Sequence, residues 1–123
     1  MYNDIVLDHL SNPRNIGVLE FPDGIGQTGN ASDGDKITVY IKVKNGIISD
    51  IKLKVFGCGA AIASGSMLTQ LALGKTLAEA MRISNDDVAS ALGGLPQQKL
   101  LCSNTAATAL HNAVKDYQMR WKE

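Results

Sequence analysis

Lys36-Ile37-Thr38-Val39-Tyr40-Ile41-Lys42-Val43-Lys44-Asn45-Gly46 is the stretch that decides the fold of this chain. Ile37, Val39, Ile41 and Val43 alternate with Lys36, Thr38, Tyr40, Lys42 and Lys44, the period of a strand with one wet face. Asn45-Gly46 then signals a two-residue type I′ turn, which needs φ > 0 at both central positions. Ile47 to Phe56 resumes the alternation through Ile51, Leu53 and Val55. The pair predicts an antiparallel hairpin.

Before the hairpin, Tyr2 to Leu10 sets Ile5, Val6, Leu7 and Leu10 on a mostly apolar face, a short helix stopped by Ser11-Asn12-Pro13. Asn15, Gly17, Pro22, Gly24, Gly26 and Gly29 follow, and their glycine content argues for a long loop without regular structure. After the hairpin the pattern is helical. Ala60 to Leu73 forms one helix with Gly74 as its stop. Thr76 and Glu79 have the spacing of a capping box for Leu77 to Met81, and Ser84 caps Asp86 to Leu92. Gly93-Gly94-Leu95-Pro96 breaks the chain. A last helix runs from about Ser103 to Trp121, with Ala106, Leu110, Val114, Tyr117 and Trp121 stacked along it. This order predicts an α+β fold in which helices cover one face of a small antiparallel sheet, in one domain spanning residues 1–123.

Composition narrows the function classes. Twelve basic and twelve acidic residues balance, and the lysines are spread along the chain, so nucleic acid is a poor expectation. No run approaches the roughly 18 apolar residues of a membrane span, and the first residues are acidic rather than basic. A cytoplasmic chain is expected, with its two cysteines reduced.

Those cysteines carry the chemistry. Cys58 lies in Gly57-Cys58-Gly59, between a strand pattern and a helix start, and Cys102 lies just ahead of the last helix. A helix N-terminus favours thiolate over thiol, and thiolate is the form that binds metal or attacks sulfur. Asp33-Gly34-Asp35 adds two carboxylates in a third loop. Converging, the three loops would offer a mixed soft and hard ligand set for iron or zinc. Each feature also has a plainer reading: buried thiols behave as small hydrophobes, and Asx-Gly turns before strands are common. His9 and His111 lack a paired metal spacing and read as surface or helix-packing residues. Ser64 and Ser66 have no readable His/Asp partners, which speaks against hydrolase chemistry.

Several motifs in order resemble one family. Asp8-His9-Leu10-Ser11-Asn12-Pro13-Arg14-Asn15-Ile16-Gly17 resembles the N-terminal signature of the IscU/NifU-type iron–sulfur cluster assembly scaffolds. Gly57-Cys58-Gly59-Ala60-Ala61-Ile62-Ala63-Ser64 resembles their second-cysteine motif, and Leu95-Pro96-Gln97-Gln98-Lys99 the segment before the third cysteine, here Cys102. Asp33-Gly34-Asp35 stands where the family has Cys-Gly-Asp, so Asp33 replaces the first cysteine. Leu101 stands where many members have histidine.

The resemblance implies a SufE/NifU-like architecture and a non-catalytic scaffold, not an enzyme. Such a scaffold accepts sulfur from a cysteine desulfurase, binds iron, builds a [2Fe–2S] cluster and passes it to apo iron–sulfur proteins. It implies Asp33, Asp35, Cys58 and Cys102 as ligands, with Lys99, Gly57 and Gly59 around them. Cys58 and Cys102 remain as sulfur acceptors, since Asp33 has no sulfur. The stretch from Gly17 to Gly34 would then be a mobile flap over the site. Gln97-Gln98 departs from the family's Leu-Pro-Pro-Val-Lys segment, which weakens the case for an Hsp70-type chaperone as partner. Scaffolds of this kind are monomers when empty, and two cluster-bound copies could meet as a homodimer. Two other readings stay open: a zinc-binding sulfur acceptor like the SufU branch, and a desulfurase-binding partner that assembles no cluster.

Overall fold

A computed structural model describes residues 3–30, 35–57, 59–93 and 105–120. Helix α1 (Asp4–Ser11) leads into a three-stranded antiparallel sheet of β1 (Gly24–Asn30), β2 (Asp35–Lys44) and β3 (Ile47–Phe56) in that order. Helices α2 (Gly59–Ala72), α3 (Leu77–Arg82), α4 (Asn85–Ala91) and α5 (Ala106–Arg120) follow. Among the described residues, no helix is long and apolar enough to cross a membrane.

The hairpin forms as its alternation predicts. Asn45 and Gly46 both have positive φ, 56° and 74°, and the register pairs Lys44 with Ile47, Ile41 with Ile51 and Val39 with Leu53. Ile37, Val39, Ile41, Ile51 and Leu53 are fully buried, and the helices pack on this face. The two short helices begin as expected. Thr76 and Ser84 each accept a hydrogen bond from the backbone three residues on, while Glu79 and Asp87 reach back to complete capping boxes. The Thr76 backbone N–H, then its hydroxyl, hold the Glu79 carboxyl below its usual range.

Two expectations fail. Gly24 to Asn30 is a strand, paired with β2 from Gly24–Ile41 to Asn30–Asp35, so the middle of the expected flap is built into the sheet. The glycines are there for closeness. A Cβ on Gly26 would lie 2.0 Å from the Ala109 carbonyl oxygen, and one on Gly24 2.3 Å from that of Ala113. Helix α5 therefore rests directly on the β1 backbone, presenting the buried Ala106, Ala109 and Ala113. Its side chains also protect the strand edge: Asp116 Oδ2 accepts from Ile25 N at 2.9 Å, and Asn112 Nδ2 donates to Gln27 O at 3.1 Å.

The second correction concerns α1. Its buried residues are Val6 and His9, while Ile5 and Leu7 are 45% and 47% exposed. Of the expected apolar face, Val6 is buried and Leu10 packs against the core, while Ile5 and Leu7 turn outward and His9 takes the other buried position.

Candidate functional site

The sheet and α5 bring three chain connections to one end of the molecule. Asn30 pairs with Asp35, so β1 ends beside the start of β2. Lys36 pairs with Phe56, so β3 ends beside them. Gly24 faces Ala113 and Tyr117, while Gly26 faces Ala109, so α5 runs opposite to β1. Its start at Ala106 is therefore at the Asn30 end as well. The end of β3 before residue 58, the strand ends on either side of residues 31–34 and the start of α5 thus all lie at one end of the fold.

The expected ligands sit mostly within those connections. Asp33, Cys58, Lys99 and Cys102 lie outside the described residues, as does the Leu95–Lys99 segment. Of Asp35 the structure describes the backbone, at the first position of β2. Gly57 ends the β3 excursion with φ 151° and Gly59 opens α2. That φ is one that side chains avoid, so residue 57 needs glycine to turn from strand to helix. Among the described residues no group of three or more His, Cys, Asp or Glu gathers as a metal site. No residue in the first turn of helix α2 is acidic, so that turn sets no negative charge of its own against the N-terminal dipole.

The segment of residues 94–104 is anchored on both sides. Asn3 caps α1 by accepting from Val6 N and also donates from Nδ2 to the Leu92 carbonyl at 2.7 Å, fixing the end of α4. On the far side, Asn85 Oδ1 accepts from Ala107 N at 2.9 Å in the first turn of α5. His111 Nε2 donates to the Ile83 carbonyl at 2.8 Å. His111 is thus a helix-packing residue.

A second polar cluster, with no motif of its own in the sequence, joins α1 to α2. His9 is 3% exposed, and its Nδ1 meets Ser66 Oγ at 2.7 Å. The same hydroxyl accepts from Arg14 N at 2.8 Å, Asn15 Nδ2 donates to Thr69 Oγ1, and Thr69 Oγ1 donates to the Ser66 carbonyl. Burial, then the Arg14 charge, push the His9 pKa below its ordinary value. The Arg14 guanidinium, 2.6 Å from Asp8, holds that carboxyl below the usual range. From this anchor the chain lies against the free edge of β3, where Leu53 N donates to Asn15 O and Gly17 N to Leu53 O, both at 2.8 Å. The signal in the sequence was the pairing of a polar N-terminal motif with Ser64, Ser66 and Thr69 inside an otherwise apolar helix.

The model of the family described as NifU-like N terminal domain matches residues 1–123. The chain belongs to that family. This NifU-like domain is 57% identical over 117 residues to "Iron-sulfur cluster assembly scaffold protein IscU 1" of Archaeoglobus fulgidus, covering 95% of this chain and 76% of the relative. It is 49% identical over 121 residues to the IscU scaffold protein of Aquifex aeolicus, covering 97% and 77%. The crystal structure of an N-terminal NifU-like protein from Brucella abortus superposes with a TM-score of 0.77 at 20% identity, covering 97% of this chain and 95% of that one. At that identity the superposition speaks for the fold, and it agrees with the α+β architecture of a helix-covered antiparallel sheet.

Proposed function

We propose that this NifU-like domain is a scaffold on which an iron–sulfur cluster is assembled from iron and sulfide and then handed to recipient apo-proteins. The observation that carries the reading is that the described residues flanking 31–34, those flanking 58 and the start of α5 lie at one end of the fold. The naming of its relatives as iron–sulfur cluster assembly scaffolds supports the same reading. The cluster is cargo, and ligands carried between elements rather than inside them suit something that must leave.

In this proposal Cys58 and Cys102 supply thiolates and Asp33 and Asp35 supply carboxylates to a [2Fe–2S] unit. Cys58 stands immediately before α2 in the sequence, where the positive end of a helix dipole favours thiolate over thiol. Lys99, from the same segment as Cys102, offsets the negative charge of the ligated cluster. Gly57 and Gly59 keep the backbone beside Cys58 bare. Sulfur arrives from a cysteine desulfurase as a persulfide. Attack by the Cys58 or Cys102 thiolate on its outer sulfur forms a new S–S bond, and the donor leaves as thiolate. Two electrons from an external reductant then break that bond and yield sulfide and the original thiolate. Asp33 takes no part in this transfer, and as a harder ligand than cysteine it holds a cluster less firmly.

Two thiolates and two carboxylates also match a tetrahedral zinc site, which would make the domain a sulfur acceptor. Anaerobic purification with iron, zinc and acid-labile sulfide analysis separates the readings. Equal iron and sulfide with visible charge-transfer bands is the expected result. Zinc without colour selects the acceptor. A domain that stays colourless and metal-free after reconstitution, yet binds desulfurase, overturns both.

A further inference from the structure

We infer that the open face of the sheet is a docking surface for an acidic, extended segment of a partner protein. The inference is independent of cluster ligation. The helices cover the face bearing Ile37, Val39 and Ile41. On the opposite face the register places Lys36 across from Phe56, Thr38 from Lys54, Tyr40 from Lys52 and Lys42 from Asp50. Four lysines thus share one face, with Asp50 and the Asp23 carboxylate on Val43 N both at its far end, in a chain whose overall charge is zero. Asp50 is engaged by its neighbour's backbone, Ile51 N donating to Oδ1 at 2.8 Å. The ion pairs among the described residues are Arg14–Asp8 and Arg120–Asp116, so none of the four lysines is in one.

The face also has a recess. Gln27, Lys36, Thr38, Tyr40, Lys54 and Phe56 give it a mixed polar and apolar lining and a volume of about 90 Å³, below the roughly 150 Å³ that accommodates benzene and enough for one side chain beside Phe56. Phe56 is 60% exposed at its rim. Lys52 and Lys54 are two residues apart on one strand, a repeat of about 6.6 Å, which is also the spacing of alternate side chains in an extended partner segment. Alternating carboxylates around a leucine or isoleucine would meet the lysines while the aliphatic side chain fills the recess. A stacking platform for single-stranded nucleic acid needs two or three presented aromatic rings. Here Phe56 alone is presented, since Tyr40 is half-buried.

The test uses the full metal-free chain, isotopically labelled, titrated with a peptide of about ten residues that alternates glutamate with neutral residues around a central leucine. Amide shifts are expected at Lys36, Thr38, Lys54 and Phe56. The double charge reversal K36E/K54E should weaken binding about tenfold and Lys54→Gln by less, while Lys115→Glu, on the exposed side of α5, should leave it unchanged. Raising salt from about 50 to about 500 mM should weaken it too. The inference is overturned if the shifts fall elsewhere, if charge reversal leaves affinity intact, or if an oligothymidylate of about ten nucleotides binds the face more tightly than the peptide. Cluster loading is measured separately, so loss of one result does not entail loss of the other.

Discussion

Replacing Gly26 with alanine tests the central packing argument of this fold. The added Cβ would lie 2.0 Å from the Ala109 carbonyl oxygen, 2.3 Å from the Ala113 nitrogen and 2.9 Å from the Asn112 carbonyl carbon. All three are main-chain atoms of α5 and cannot rotate away. Comfortable contact begins near 3.5 Å, so the helix must retreat by roughly 1 Å or more, or β1 must buckle. Overpacking of this kind costs about 1–3 kcal/mol. Retreat also strains the bond from Ile25 N to the Asp116 carboxylate, and a bond to a charged group contributes about 1.5–3 kcal/mol. Together these give about 4 kcal/mol, a large share of the roughly 5–15 kcal/mol that holds a typical domain folded.

The control is Gly65→Ala. A Cβ there would meet Leu53 Cδ2 at 2.6 Å, but that is the end of a side chain that can turn. Alanine also improves helix propensity by about 1 kcal/mol, so the net change should stay within about 1 kcal/mol. Urea denaturation followed by circular dichroism measures both, and Gly26→Ala should lower Tm by roughly 15 °C. If the two variants unfold at the same urea concentration, or Gly26→Ala costs under about 1 kcal/mol, the glycine contact is not what fixes α5 on the sheet.

Three further outcomes follow from the site and its anchors. The folded-state pKa of His9 is depressed below its ordinary 6.5, so the unfolded chain binds the extra proton first. Stability should be level above about pH 6.5 and fall as pH drops below it, until folded His9 itself protonates; His9→Gln should flatten that slope in denaturation curves taken at several pH values. Ser66→Ala strips the partner from buried His9 Nδ1 and from Arg14 N and should cost about 2 kcal/mol by urea titration. Asp33→Cys should lengthen the lifetime of a reconstituted cluster, read as slower bleaching under a chelator, and an unchanged decay would refute the account of that carboxylate as a weak ligand.

What was legible in the sequence and what was not divide along one physical line. The hairpin, both capping boxes and the stop at Gly74, with its φ of 84°, are set by contacts within a few residues, and local pattern reports local contacts. β1 is different. Its inward positions are Gly24, Gly26 and Thr28, so it lacks the apolar alternation that marks β2 and β3. What makes it a strand is the small-residue face of α5, more than eighty residues later in the chain, together with Asp116 and Asn112 reaching its edge. Glycine at every second position was the available sign, and it gains meaning only when read against Ala109 and Ala113 at helical spacing. The proposed site follows the same division. Its residue types and loops were readable as motifs, whereas the convergence of those loops depends on the direction in which α5 crosses β1. The glycines read as a flap thus hold the C-terminal helix close, and with it they fix the end of the fold at which α5 begins.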